Sequence, residues 1–250
     1  MSLTLAQTFT AVSPGITASF GASGGTGPYT YAVLAGGAGG SIDASSGTYT
    51  APPNVPANPA QLFDTIVATD SLGAAVSGQI MVGDALLLFC DIIQNQMGLP
   101  NGRVYLWDQK IMQPTDAGLY VAVSMLNPKV FANTKSYDGS GSGLVSNQSA
   151  NIAATLQIDI ISRDTSALRL KEQVLMALNS DYSEQQQNAN SFFVGKLPPG
   201  AQFNNLSSQD GAAIPYRFVI SVVIQYFSTR VQTVGYMQPT ASPTVNFVQS

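Results

Sequence analysis

The sequence contains no histidine and only one cysteine, Cys90. The first absence removes the commonest general base and metal ligand. Together the two exclude every zinc site built from histidine and cysteine. One cysteine cannot close an internal disulfide, so the chain is not built to depend on an oxidising compartment. Charge is scarce as well: Asp, Glu, Lys and Arg make up 10% of the residues, against about 25% in an ordinary globular domain. Fourteen acidic and ten basic side chains leave a formal net charge of −4, which argues against an electrostatic hold on nucleic acid. Long apolar runs are missing. Ala85 to Cys90 is far too short to span a bilayer, and Met1 to Thr10 lacks the basic and apolar regions of a secretory signal. The expectation is a soluble protein made in a cytoplasm.

What the chain does have is turns. It carries 23 glycines and 14 prolines, with apolar residues at 45%, and 250 residues allow two domains with sizeable cores. From Leu3 to Val82, short apolar runs (Thr8–Val12, Ile16–Phe20, Tyr29–Leu34, Thr48–Ala51, Leu62–Thr69 and Val76–Val82) alternate with pieces such as GASGGTGP, PPNVPANP and DSLG. In those pieces glycine supplies positive φ and proline fixes the bends. Strands at this spacing, without a helical period between them, predict a small sandwich over residues 1–83. The words GGTGPYTYAV, GGSIDASSGTYTAP and DTIVATDSLG also resemble bacterial immunoglobulin-like domains, of the sort appended to surface and virion proteins.

At Gly83 the period changes. Asp84 caps a predicted helix, ALLLFCDIIQNQM, whose apolar face is Ala85, Leu88, Phe89, Ile92 and Ile93, and Gly98-Leu99-Pro100 stops it. Strands are predicted at Arg103–Trp107 and Leu119–Leu126. A hairpin follows, pairing Lys129–Tyr137 with Leu144–Ile152 around DGSGSG. Leu156, Ile158 and Ile160 then alternate with Thr155, Gln157 and Asp159, the period of a half-buried strand. Asp164 or Thr165 is a natural N-cap for the helix that follows, whose stripe is Ala167, Leu170, Val174 and Leu178, widened by Leu168 and Leu175. Residues 181–213 read as polar and irregular. Tyr216–Phe227 is the longest alternating apolar run, with a last strand expected at Thr229–Tyr236 and a loose tail at 238–250. The expected architecture of residues 84–237 is therefore α+β: a mixed or antiparallel sheet packed by two helices, with a long hairpin.

This order of elements, with the words WDQKIMQPTDAGLYVAV, LQIDIISRDTSALRLKEQVLMAL and YRFVISVVIQYF, resembles phage neck and tail-terminator proteins over about residues 84–237. The resemblance implies a virion structural protein assembled in the host bacterial cytoplasm. Its subunits would form a homo-oligomeric ring, commonly a hexamer, between the tail tube protein and the head-side connector. DNA would only pass through the channel, and no membrane, cofactor or metal would be involved. The immunoglobulin-like part departs from the minimal pattern of that family.

Chemical motifs are few. GASGGTG lacks the Lys-Ser/Thr of a phosphate-binding loop and reads as a turn. Asp159, Arg163 and Asp164 could pair carboxylates with a cation, but Asp164 is better used as a cap and Arg163 in a local pair. Cys90 has no histidine to activate it and reads as a buried thiol. Asp43, Asp64 and Asp70 fit no calcium spacing and read as turn residues, and Tyr29, Tyr31 and Tyr49 as core. A carboxylate-based hydrolase would need two opposed acids in a cleft; the expectation is that the protein is not an enzyme. A carbohydrate- or surface-binding module is the alternative function, resting on the sandwich alone. Assembly residues are expected on the hairpin (Val130, Phe131, Lys135, Tyr137 and Val145) and at Tyr226 and Phe227. Val219, Val223 and Phe227 oppose the main apolar face of their strand, so a second helix, such as Leu86–Gln96, or a neighbouring subunit is expected to cover them.

Overall fold

The computed structural model describes residues 2–6, 9–56, 58, 61–107, 114–138, 144–197, 201–207 and 216–234. The first 82 residues form nine strands: β1 (Thr4–Leu5), β2 (Phe9–Val12), β3 (Thr17–Ser19), β4 (Ala22–Ser23), β5 (Thr30–Val33), β6 (Ser41–Ile42), β7 (Thr48–Thr50), β8 (Phe63–Thr69) and β9 (Ala75–Val82). All six expected strands are present, and β1, β4 and β6 are two-residue additions. One sheet has the order β2-β9-β8-β5, with β2 parallel to β9; a second has the order β3-β7-β6. Phe20, Tyr49, Ile66, Ile80 and Val82 are fully buried within this half. The buried Asp64 carboxylate is answered by the Tyr49 hydroxyl, which donates at 2.6 Å, and by the N–H groups of Gly39 and Gly40. Gly40 must be glycine, because a Cβ there would lie 2.0 Å from the Tyr49 hydroxyl.

The second half contains α1 (Ala85–Gln96), β10 (Val104–Leu106), β11 (Tyr120–Asp138), β12 (Leu144–Ser162), α2 (Ser166–Leu178), α3 (Asp181–Asn190), β13 (Phe192–Val194), β14 (Asn204–Asn205) and β15 (Tyr216–Val234). Asp84 caps α1 as expected, accepting from the N–H groups of Leu86 and Leu87 at 3.0 Å each, and Gly98 lies beyond the helix end with φ of +61°. At α2 the N-cap is Thr165, whose side chain makes no cap bond. Asp164 Oδ1 instead accepts from Ser166 N–H at 2.7 Å, and Ser162 Oγ from Ala167 N–H at 2.8 Å. Among the described residues no helix is long and apolar enough to cross a membrane.

The sheet order is β10-β11-β12-β15-β13, with β14 also on β15. Two corrections to the expected layout follow. Among the described residues the helices number three rather than two. Residues 181–190, read as irregular, form α3, because Ser180 Oγ caps Ser183 N–H at 3.1 Å and Asp181 and Glu184 sit in its positive first turn. The hairpin is also not a separate element. β11 and β12 run unbroken from the sheet into it, and β15 extends to Val234 as a third strand along it. The hairpin tip (139–143) and the tail (238–250) lie outside the described residues.

Both α1 and α2 lie on the same side of the sheet. Leu88, Phe89 and Ile92 of α1 and Ala167, Val174 and Leu178 of α2 share one core with Val121, Val123, Leu156, Ile158, Ile160, Ile220, Val222 and Ile224. The expectation that α1 could cover the opposite face is therefore wrong. Secondary structure changes at Gly83, but packing runs across it: Ala11, Leu62 and Met81 of the sandwich join this core. Ser13 N–H also donates to Asn190 Oδ1 at 2.6 Å.

Candidate interaction surface

On β15 the alternation places Ile220, Val222, Ile224 and Tyr226 toward the helices and Val219, Ser221, Val223, Gln225 and Phe227 on the opposite face, which is uncovered from Ser221 onward among the described residues. Val219 is buried there, whereas Val223 and Phe227 are exposed. Register extends this pattern across the sheet: Phe227 pairs with Asn151 on β12, and Gln225 pairs with Ala153 on one side and Phe193 on the other.

Two irregularities in β11 shape this face. Between Leu126 and Lys129, two residues, Asn127 and Pro128, oppose one on β12, and Asn127 takes φ of 45°. The strand bulges away and leaves a depression of about 540 Å³ lined by Asn127, Pro128, Lys129, Ala153, Thr155 and Val223. At the second shift, between Val130 and Ala132, Phe131 is the extra residue. It lines an apolar cavity of about 170 Å³ with Asn151, Phe193, Gln225, Tyr226 and Phe227. Phe131, Phe227 and Phe193 are 60%, 56% and 51% exposed, a row of three aromatic rings across a sheet face that no helix among the described residues covers.

Of the expected assembly residues, Phe131, Tyr226 and Phe227 meet at this cavity. Tyr226 is half-buried, with its hydroxyl 3.8 Å from the Met125 sulfur. Val130, Lys135 and Tyr137 lie on the continuation of the helix-covered face instead; the Lys135 ammonium stands 5.0 Å from the Tyr137 ring centre. Val145 is half-buried further out, opposite Asp138. Phe193 and Lys129, which line the cavity and the depression, were not among the expected residues. The FFV triplet of β13, with Phe192 and Val194 inside and Phe193 outside, is the signal that could have found the first.

The other candidates resolve into structural roles. Asp159 is buried, and its cation is Arg217 rather than Arg163: Arg217 Nε and Nη2 both reach Asp159 Oδ1 at 2.6 Å, and Gln157 Nε2 donates to Oδ2 at 2.8 Å. Asp43 and Asp70 hold loop N–H groups, which keep both carboxyls below the usual range. Among the described residues no three acids, histidines or cysteines gather as a metal site. Cys90 is buried, and that burial pushes its thiol up. Asp91 on α1 accepts from the Tyr182 hydroxyl of α3 at 2.9 Å, and burial pushes its carboxyl up to about 6. Tyr105 and Tyr120 stack at 6.2 Å on the side of the sheet away from α1 and α2 and are buried there with Ala122 and Ile161, so this side is covered at its β10 end.

No protein-family model matches the sequence, and no curated protein matches it. Solved structures that align with it include the protocadherin gamma B2 extracellular cadherin domains 3–6, at 16% identity and a TM-score of 0.26, over 92% of this chain and 46% of that one. The protocadherin gamma B7 extracellular cadherin domains 1–4 align at 11% identity and a TM-score of 0.28, over 94% and 49%. This chain thus spans less than half the length of those chains, and likenesses this loose carry no argument about fold or partners.

Proposed function

We propose that this chain is a phage virion structural protein of the neck and tail-terminator kind, assembling with itself into a ring that joins the tail tube to the head-side connector. The observation that supports this reading is the three-stranded ribbon. Beyond Leu126, β11, β12 and β15 leave the helix layer, and Val130, Phe131, Tyr137 and Phe227 remain exposed. Strands gain independent stability from an apolar face packed on something, and among the described residues these four side chains of the ribbon are left largely open. Twelve residues at about 3.3 Å each and three strands about 4.8 Å apart give each face roughly 550 Å². A stable interface buries about 800 Å² per partner. One face supplies about two thirds of that for the neighbour it meets, and each contact draws the remainder from surface outside the ribbon. A ring gives every subunit two neighbours, which suits a ribbon contacted on both sides.

Mass photometry and electron microscopy of the purified full chain test the reading, with closed rings expected at micromolar concentration. Phe227→Asp leaves a folded subunit, because Phe227 is exposed on the uncovered face, and loses the ring. A chain that stays monomeric, or a Phe227→Asp variant that unfolds without a separate loss of assembly, overturns the proposal.

A further inference from the structure

We infer that the depression on the uncovered sheet face receives the outer side of α2 from a second copy of the chain. The inference rests on the assembly reading and names its interface. α2 turns Ala167, Val174, Ala177 and Leu178 inward. Its outer stripe is Leu168, Glu172 and Met176, spaced four residues apart on one face; Leu168 is 44% and Met176 68% exposed. Two large apolar side chains with an acid between them are unusual for a helix face left to water, where polar residues are the rule.

The sheet face presents the complement. Val223 and the Phe227 row are apolar points four residues apart, about 13 Å along the strand. Leu168 and Met176 are eight residues apart on a helix, about 12 Å. Lys129 pairs with Ala153, and Ala153 with Gln225, so Lys129 stands level with the midpoint between Val223 and Phe227. Glu172 stands at the midpoint of the helix stripe. Laid into the depression, α2 brings one apolar side chain to Val223, the other to the cavity at Phe227, and the carboxylate of Glu172 to the ammonium of Lys129.

Glu172 pairs with Lys171 at 2.6 Å within its own helix, but Lys171 is held down against α2. Its ammonium donates to Leu168 O at 2.9 Å and lies 5.3 Å from the Phe218 ring centre. The outward oxygen of Glu172 is left to a partner. The contact also restores an ordinary layer arrangement, since a sheet with apolar residues on both faces is normally covered on both by helices. Donor and acceptor surfaces lie on opposite sides of one sheet. Each copy therefore gives α2 to one neighbour and receives it from another, a heterologous contact that closes into a ring when the rotation permits.

Charge reversal in the full chain tests this by mass photometry across a dilution series, with circular dichroism confirming each fold. Lys129→Glu and Glu172→Lys each weaken self-association by about tenfold or more, as expected for a close interfacial charge pair. The double variant restores it to within about threefold, because the pair is re-formed with its signs exchanged. If the chain assembles and the single variants match it, or the double variant is weaker than either single one, this interface is wrong while the assembly reading stands. If the unaltered chain is monomeric throughout, the assembly reading fails and the interface with it.

Discussion

Asp91 places a carboxyl between α1 and α3 where water scarcely reaches, and it offers a quantitative test of how this core is put together. Burial pushes its carboxyl up from 3.8 to about 6, against the opposing hydrogen bond from Tyr182. In the unfolded chain the proton leaves near pH 4; in the folded chain it stays until about pH 6. Between those values the folded state binds more protons, so this group's contribution to stability falls as pH rises through the window and is constant above it. A carboxyl held about two pH units high is worth about 3 kcal/mol at full ionisation. Asp91→Asn removes the charge and keeps an oxygen to accept from Tyr182. The variant is expected to match the parent at pH 4 and exceed it by about 2–3 kcal/mol at pH 8, which is roughly 5–10 °C for a chain of this size. Urea unfolding of both proteins at several pH values measures it. The difference between them is the quantity to read, since exposed carboxyls with lowered values, such as Asp116 and Asp164, drive the parent's stability the other way and cancel. An asparagine variant that is no more stable than the parent at pH 8 would refute the reasoning, placing a stabilising charge interaction at Asp91 where the structure has burial.

Two further outcomes are expected. Arg217→Ala leaves the Asp159 carboxylate buried with Gln157 as its one hydrogen-bond partner among the described residues and lowers stability by about 3 kcal/mol, the cost of stripping one partner from a buried pair; a change below about 1 kcal/mol in denaturant unfolding would mean water reaches Asp159. A fragment of residues 84–250 still unfolds in one cooperative transition but is about 3 kcal/mol less stable than the full chain, because α1 loses Leu62 and Met81 and Asn190 loses Ser13; scanning calorimetry without a transition would mean the sandwich is indispensable to the second core.

Much of this protein was determined by its sequence alone, wherever a local period settles the matter. The six sandwich strands, the Asp84 cap and the passage from β12 to α2 rest on alternation, helical spacing and end groups contained within a few residues. The exposed pair Val223 and Phe227 was legible for the same reason, since strand alternation fixes which residues oppose the Ile220–Ile224 face. Tertiary structure decided the rest. α3 carries local cap signals at Ser180, Asp181 and Glu184 but no apolar stripe, and its buried Asn190 answers Ser13, 177 residues away, so no window of sequence contains its packing. Which cation meets Asp159 depends on the β12–β15 register that lays Arg217 beside it, not on the nearer Arg163. The aromatic row and the depression exist because two shifts in β11 release Phe131 and lift Asn127 away from β12. A bulge is a property of how two strands match in length; Pro128, which cannot donate to a ladder, marks the first interruption in the sequence, but no local signal marks Phe131.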